Sequence, residues 1–280
     1  MSRQLIKQLI DNTPAESWSE EDIHNKTELS DFGNKQYSEV KKEFEKLFLE
    51  KLVAYPLSRL IGLELFKDVQ TVIGCTQYID NLYQSHPNNF FVFENEFSYH
   101  KSLGNNNQIS AEDIPNNSHL LVSVPQAHSC DVPGLLETVT EIAEKRHCSL
   151  HLDMAWWPIS KGLSVDLSSP CIKTVATSLS KPFSLSKNRI GIRLSKEHIH
   201  DAVSIQNNKN IVPRTLIEIG LNYLQQHDLD YMWKKYGEHY DHICRLCRMR
   251  PLPIFFMARE LGKGNVHINK ALEYIYNNHK

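Results

Sequence analysis

The chain has 280 residues, of which 41% are hydrophobic, and its 31 basic and 33 acidic side chains give a formal net charge of −2. This length allows one large domain and a small one, while the balanced charge without a basic block argues against nucleic-acid binding. No apolar run approaches the roughly 18 residues of a membrane span, and no secretory signal begins the chain. We therefore expect a cytoplasmic protein without a membrane partner, with its six cysteines as free thiols.

The first 37 residues mix polar runs with Pro14 and Gly33, which is typical of an N-terminal arm rather than of a core. From Ser38, an N-cap residue type, apolar residues recur at helical spacing and predict a helix up to Tyr55, before Pro56 turns the chain. A second helical stretch is predicted around residues 60–65. The predicted division is an arm at 1–37, a large domain at 38–211 and a small domain at 212–280.

The next segments alternate between strand and helix patterns. Residues 71–77 read as a strand that turns into a helix beside Gly74, where backbone amides and the Thr76 hydroxyl can hold an anion. Short apolar runs at 90–93 and 120–124 suit buried parallel strands, and a helix at 135–146 leads to a strand that ends at Asp153. With a strand at 172–177, this alternation predicts an α/β doubly wound sheet.

The segment from residue 178 to 191 carries the most specific chemistry. Lys181 stands among hydroxyl residues, and burial lowers the pKa of a lysine so that its neutral amine can attack an aldehyde. Ser178 and Ser180 offer hydroxyl donors, and Arg189 offers a planar fork suited to a phosphate dianion. Asp153 at a strand end can pair with a pyridinium nitrogen. Together these residues point to pyridoxal 5′-phosphate as cofactor.

The pattern of Asp153, then Ser178-Leu-Ser-Lys181, then Arg189-Ile-Gly191 resembles the fold-type I pyridoxal-phosphate enzymes of the class I/II aminotransferase family. The resemblance implies a three-layer, mostly parallel sheet of the PLP-dependent transferase type with a reduced C-terminal small domain. It implies an enzyme that acts on an amino acid through an external aldimine, with Lys181 as the catalytic base and Asp153 on the ring nitrogen. Transamination is the expected reaction. The alternatives are a lyase, cyclase or decarboxylase of specialised metabolism, or a degenerate binding or regulatory protein.

The same resemblance assigns further cofactor contacts. The phosphate turn corresponds to Gly74, Cys75 and Thr76, and the residue that stacks on the ring corresponds to Phe97, with Tyr99 as second choice. Tyr55 corresponds to a tyrosine that reaches the phosphate of the neighbouring chain, which implies a homodimer with shared active sites.

On the substrate side, the resemblance places Asn34 along the pocket. Arg259 is the best match for the arginine that grips the substrate carboxylate, with Arg245, Arg248 and Arg250 as competitors.

Three departures limit this comparison. Trp156 stands where the family has a tyrosine that donates to the phenolic oxygen of the cofactor, and an indole cannot transfer that proton. The family's Asn-Pro-Thr-Gly turn is replaced: counting places Asp131 at the asparagine, whereas His128 is a better donor, and the sequence does not choose between them. The segment after Lys181 is also short for the family's small domain.

A metal site is not expected, because Cys244-Arg-Leu-Cys247 is a single CxxC without a second ligand pair.

Overall fold

The computed structural model describes residues 2–14, 20, 22–94, 96–103, 108–127, 129–130 and 133–278. The helices are α1 (Arg3–Asp11), α2 (Asp22–Asn25), α3 (Tyr37–Val53), α4 (Gly74–Ser85), α5 (Tyr99–Ser102), α6 (Pro133–Lys145), α7 (Ala202–Asn208), α8 (Arg214–Gln226), α9 (Tyr231–Cys247) and α10 (Asn269–Asn278). The strands are β1 (Arg59–Ile61), β2 (Asp68–Val72), β3 (Phe90–Phe93), β4 (Gln108–Ile109), β5 (His119–Ser123), β6 (Ser149–Asp153), β7 (Ser164–Asp166), β8 (Ile172–Ser178), β9 (Gly191–Ser195), β10 (Arg250–Pro251), β11 (Met257–Glu260) and β12 (Gly264–His267). Single 3-10 turns occupy Leu63–Leu65 and Trp157–Ile159.

A mostly parallel sheet forms the centre of the described part of the chain, in the strand order β2-β9-β8-β6-β5-β3-β4. Strands β4, β3, β5, β6 and β8 run parallel, while β9 lies antiparallel to both β8 and β2. Because parallel strands share a direction, their carboxyl ends meet at one edge of the sheet. The predicted fold class, an α/β protein with a three-layer, mostly parallel sheet, is confirmed.

Helices cover both faces of this sheet. Leu120 and Val122 of β5 point into a core with α3 and α8, whereas Leu121 points into a core with α4. Successive strand residues face opposite sides, so a strand covered on both sides is apolar at every position. This explains the continuous apolar run that predicted β5.

A second core lies around Trp233, Phe255 and Phe256. It is built from α1, α9, α10 and an antiparallel sheet in the order β10-β11-β12. The segment from residue 212 onward was predicted to be largely helical, and this small sheet was not foreseen. Its strands have two to four residues each, too short for their alternation to be recognised.

Two local predictions differ from the structure. Helix α3 starts at Tyr37 rather than after Ser38, because Gln36 caps it reciprocally with Glu39. The second helical stretch around residues 60–65 is wrong: β1 pairs in parallel with β7, and only a 3-10 turn follows. Gly62 lies at φ +80, and a β-carbon there would stand 2.9 Å from Ser168 N, so the close approach to the β7 segment overrides the leucine spacing.

The domain division stays a prediction, and the packing gives it new detail. Helix α1, inside the predicted arm, packs with α9 and α10 in the second core. Helix α8, inside the predicted small domain, packs against α3, with Ile217 and Leu221 in the core of the main sheet. In the described ranges, none of the helices is both long and apolar enough to span a bilayer.

Candidate active site

The carboxyl ends of β6 and β8 bring Asp153 and Lys181 together. Asp153 is the last residue of β6 and pairs in register with Ala176 of β8, which ends at Ser178 just before Lys181. Burial and the nearby Arg189 cation together lower the pKa of Lys181 to about 8, against the opposing effect of the Asp153 carboxylate. The amine is therefore partly neutral near physiological pH, as a nucleophile requires.

Asp153 is held in a fixed orientation below this lysine. Its carboxylate accepts the backbone N–H of Ala155 at 3.0 Å and is hydrogen-bonded to the thiol of Cys75. Burial raises the pKa of Asp153, whereas these hydrogen bonds and the cations Lys181 and Arg189 lower it. The carboxylate thus has both cationic neighbours and fixed hydrogen-bond donors.

Arg189 and Gly74 form a close pair at the start of α4. Gly74 lies at φ +72, and a β-carbon on it would stand 3.0 Å from Arg189 Nε. Arg189 Nε and Ser180 Oγ are buried, and no described residue accepts or donates a hydrogen bond to either. Buried donors are normally satisfied, so these groups, together with the free N–H groups of the first turn of α4, suit a bound anion.

Gly191 sets the distance between the two strands behind the lysine. A β-carbon at residue 191 would lie 2.2 Å from Thr177 O and 2.8 Å from Ser178 Cβ. Ser178 is buried, and its side chain hydrogen-bonds the Cys75 thiol. Glycine at 191 therefore lets β9 carry Arg189 close to the Lys181 turn.

Glu96 is a site residue that the sequence analysis missed. Its carboxylate accepts both the backbone N–H of Ser123, at 3.0 Å, and the Ser123 hydroxyl. Ser123 pairs in register with Asp153, so the Glu96 carboxylate is held close enough to Asp153 for the two charges to interact. Burial, with a smaller contribution from the Asp153 charge, raises the pKa of Glu96 to about 6.

The second core supplies His267 on the other side of the lysine. Burial and the Lys181 cation lower the pKa of His267, and no described residue hydrogen-bonds its buried Nδ1. The His267 ring stacks on Phe256, with centroids 5.8 Å apart, and Phe256 meets Trp156 edge to face at 5.7 Å. Trp156 therefore packs against the second core.

The loop predicted to stack on the cofactor lies beside these groups. Phe97 is 40% exposed and follows Glu96, and its ring stacks with Tyr99 at 6.0 Å. Tyr99 donates to Asp80 Oδ1 at 2.6 Å and lies close enough to Arg189 for the cation to affect its pKa. Both aromatic residues remain candidates for the stacking role.

Three other residues were predicted to contact the cofactor or the substrate. Thr76 is half-buried in the first turn of α4. Tyr55 is buried, and its hydroxyl donates to Ser160 O at 2.6 Å, so reaching a neighbouring chain would require that bond to break. Asn34 is exposed, in a segment that Arg214 of α8 holds through Gly33 O and Lys35 O. Within the described residues, no contact links Asn34 to Lys181.

Arg259 joins the small sheet to the loop after β5. Its Nε donates to Asn265 Oδ1 at 2.8 Å and its Nη2 to Ser129 O at 3.1 Å. His128 and Asp131, the two candidates in that loop for the phenolic oxygen, lie outside the described residues. The choice between them stays a prediction.

Among residues with clear site contacts, Glu96 and His267 escaped the sequence analysis for different reasons. Glu96 adjoins Phe97 in the predicted stacking loop, so its place in the chain was a usable signal. His267 stands 86 residues after Lys181 on a strand that was not predicted, and nothing local marks it.

Comparisons with known proteins identify the architecture. No known family model and no curated protein matches the sequence. Solved structures do match: a tetra mutant of Thermus thermophilus aspartate aminotransferase complexed with tryptophan shares 14% identity at a TM-score of 0.59, covering 98% of this chain and 87% of the other. A probable N-succinyldiaminopimelate aminotransferase, also from Thermus thermophilus, shares 12% at 0.62, covering 98% and 97%.

A PLP-bound C-S lyase from Staphylococcus hominis, complexed with L-cycloserine, shares 11% identity at a TM-score of 0.60, covering 98% of this chain and 84% of the lyase. The chain therefore has the fold of the PLP-dependent transferases. At these identities the likeness establishes the fold, and the chemistry has to be argued from the site.

Proposed function

We propose that the protein binds pyridoxal 5′-phosphate at Lys181 and acts on an amino acid as an aminotransferase. The observation that carries this proposal is the convergence of Lys181, Asp153 and Arg189 near the carboxyl ends of β6 and β8, where the charges of Asp153 and Arg189 both act on the half-buried Lys181. A lysine with a pKa lowered to about 8 has little use as a surface cation. The shared fold with two aminotransferases supports the same reading.

The residues present fit this cofactor. Arg189 Nε and Ser180 Oγ are buried donors without described partners, and Gly74 leaves open the space that a β-carbon would fill. These groups and the α4 amides would hold the phosphate, and Asp153 would face the ring nitrogen. When bound, the cofactor supplies an electrophilic aldehyde and a ring that withdraws electrons from the α-carbon of an amino acid.

Residues of the protein would carry out proton transfer and stabilise charge. The amine of Lys181 takes the proton from the substrate Cα and returns it, because at a pKa of about 8 it can both accept and donate near neutral pH. Asp153, fixed by Ala155 N–H and the Cys75 thiol, would stabilise a positive charge on the ring nitrogen.

The substrate carboxylate has two candidate partners. Arg259 donates to Ser129 O in the loop after β5, the loop that holds the two candidates for the phenolic oxygen of the cofactor. The Lys181 charge acts on His267, which has a buried ring nitrogen without a described partner. We propose Arg259 as the carboxylate-binding residue and His267 as the residue that orients the substrate.

A second candidate function is elimination by a lyase. Trp156 replaces the expected tyrosine and packs against Phe256, so its indole cannot shuttle a proton at this position. The C-S lyase among the structures of similar fold is consistent with this alternative.

A homodimer is proposed from the surface beside Tyr55. A cavity of about 830 Å³ is lined mainly by apolar residues of α3 and the β1 region, and Val53 in it is 70% exposed. Sedimentation equilibrium should show a dimer, and the substitution Val53→Glu should dissociate it. The control Leu261→Glu lies outside this surface, at a residue that is 97% exposed, and should leave the dimer intact. A wild-type monomer would contradict this assembly.

Chemical trapping of the bound cofactor tests whether it is attached to Lys181. Purified protein mixed with pyridoxal phosphate should develop the visible absorbance of a lysine-linked cofactor, and borohydride reduction followed by peptide mass mapping should locate the adduct on Lys181. Lys181→Ala should abolish the band, whereas Lys187→Ala, which removes an exposed lysine six residues away, should keep it. Labelling spread over surface lysines would overturn the assignment.

Product analysis then separates the two reactions. Conversion of the bound cofactor to its amine form by an amino acid alone, reversed by a 2-oxo acid, indicates transamination. Release of ammonia and a 2-oxo acid without that conversion indicates elimination. A bound cofactor that no amino acid alters would indicate a binding protein.

A further inference from the structure

Three histidines from separate elements meet beside β5 and β6, apart from the residues of the candidate active site. His86 caps the end of α4, His119 begins β5, and His151 lies in the middle of β6. One ring nitrogen from each lies within 4.8 Å of the others. We propose that this three-histidine cluster binds a divalent transition-metal ion of the zinc class. This proposal does not depend on the proposed cofactor.

The spacing of the nitrogens suits such an ion. Zinc holds imidazole nitrogens at about 2.0–2.1 Å in tetrahedral geometry, which separates two ligand nitrogens by about 3.3 Å. His119 Nδ1 and His151 Nε2 are 3.0 Å apart. The His86 ring stacks on His119 with centroids 3.4 Å apart and is half-buried, so it can tilt to present its nitrogen to the same ion.

A second group of contacts orients the buried ligand. His151 Nδ1 hydrogen-bonds Thr174 Oγ1 at 2.6 Å, and Thr174 in turn bonds Tyr78 OH at 2.6 Å. Metal-binding histidines are held in this way through the ring nitrogen that faces away from the ion. The arrangement leaves Nε2 of His151 directed to the cluster.

The surroundings keep the three rings neutral, as metal binding requires. Each ring is at least half-buried, and burial disfavours the charged form of an imidazole. Arg193 is paired with Asp201, so the nearby charge is largely balanced. His86 and His119 are half-buried, so two of the three proposed ligands are in contact with solvent.

A bound ion would join the end of α4 to β5 and β6. Gly74 at the other end of α4 faces Arg189, so the ion would fix the helix whose start lies at the candidate anion site. A ligand that binds only the folded state stabilises it in proportion to its excess over the dissociation constant. Thermal unfolding should therefore shift to higher temperature with added Zn²⁺.

The test uses untagged, metal-stripped protein dialysed against Zn²⁺, with bound metal counted by elemental analysis, and Co²⁺ as a spectroscopic probe of tetrahedral coordination. We expect one ion per chain, lost in His86→Asn and His119→Asn. His200→Asn, an exposed histidine, is the matched control, and His239→Asn removes the competing surface group near His242 on α9. Circular dichroism checks that each variant folds.

Thr174→Val provides a second variant that keeps all three ligands. It should weaken Zn²⁺ binding by about ten- to a hundredfold, because it removes the contact that orients His151. The proposal is overturned if the wild type binds no ion, or if binding survives His86→Asn and disappears in His239→Asn. In either case the cluster is a hydrogen-bonded stack of neutral rings.

Discussion

Gly74 and Arg189 occupy one tight contact at the start of α4: a β-carbon on residue 74 would lie 3.0 Å from Arg189 Nε and 3.3 Å from Nη2. The arginine therefore lies directly over the first turn of the helix. Since the backbone of Gly74 is left-handed at φ +72, both the space and the conformation require glycine.

Replacing Gly74 by alanine should displace Arg189 and weaken pyridoxal phosphate binding by roughly tenfold or more, a loss of about 1.4 kcal/mol. The left-handed backbone adds a stability cost of about 1–2 kcal/mol. Titration of the cofactor and urea unfolding measure the two effects separately. Gly262→Ala is the control, because residue 262 has φ +83 with nothing within 4 Å of its β-carbon. Equal loss of cofactor affinity in both variants would contradict the role of the contact.

Gly191→Ala should destabilise the protein by about 3 kcal/mol or more, because its β-carbon would overlap Thr177 O at 2.2 Å. The midpoint of urea unfolding measures the loss. Gly134→Ala, at a residue with open space around it, should leave the midpoint nearly unchanged. A wild-type midpoint for Gly191→Ala would show that β8 and β9 are further apart than described.

The reactivity of Lys181 should depend on pH with a midpoint near 8, because burial lowers its pKa from 10.5 to about 8. The neutral amine predominates above that value, so the rate of covalent attachment of pyridoxal phosphate should rise as the pH increases through 8 and then level off. Stopped-flow absorbance follows the rate. In Lys181→Ala this phase should be absent, and a midpoint close to 10.5 in the wild type would mean that the amine is exposed.

The lowered pKa of Lys181 also makes the free energy of unfolding depend on pH. The unfolded chain keeps this proton up to about 10.5, whereas the folded chain loses it near 8, so the free energy of unfolding should increase between these values by comparison with Lys181→Met. Denaturant titrations at about pH 7.5 and about pH 10 check this direction. A decrease over the window would contradict it.

Asp153→Asn should keep the fold, since an amide oxygen can still accept the Ala155 N–H, but it removes the charge opposite the ring nitrogen. Turnover should fall by about 10²-fold or more, with a smaller change in cofactor affinity, because the proposed phosphate contacts of Arg189 and Ser180 are independent of this carboxylate. Steady-state rates and cofactor titration separate the two. Asp166→Asn, an exposed carboxylate on β7, is the control. Unchanged turnover would remove Asp153 from the site.

Glu96→Gln should make the protein more stable above pH 6. The folded-state pKa of Glu96 is raised from 4.5 to about 6, so the stability of the wild type is fully present below 4.5 and declines as the pH rises through 6. Glutamine can keep the contacts with Ser123 and does not ionise. The variant should therefore avoid this decline in the free energy of unfolding, which amounts to about 2 kcal/mol. Urea midpoints at about pH 4.5 and about pH 7 measure it, with the exposed Glu94→Gln as control. A pH-independent difference would contradict the shift.

The residues predicted from sequence that meet in the site are those whose relative positions are set within short stretches. Ser178, Lys181 and Arg189 lie on one strand-turn-strand unit, so their order along the chain largely decides their distances. Asp153 was recognised because a charged residue ended an otherwise buried strand. Tyr55 and Asn34 were assigned to the site by resemblance alone. In the structure Tyr55 donates to Ser160 O, and the segment that contains Asn34 is hydrogen-bonded to Arg214 of α8.

Local patterns along the chain were enough to predict the parallel sheet, through the continuous apolar runs of its buried strands, and to propose a lysine-centred site at its edge. Long-range packing was needed to show that β1 is a strand, that the charge of Asp153 acts on Glu96, that the charge of Lys181 acts on His267 and that three distant histidines meet. The physical reason is the range of the interactions. Hydrophobic periodicity and turn chemistry act over a few residues, whereas these contacts depend on how whole elements pack against one another.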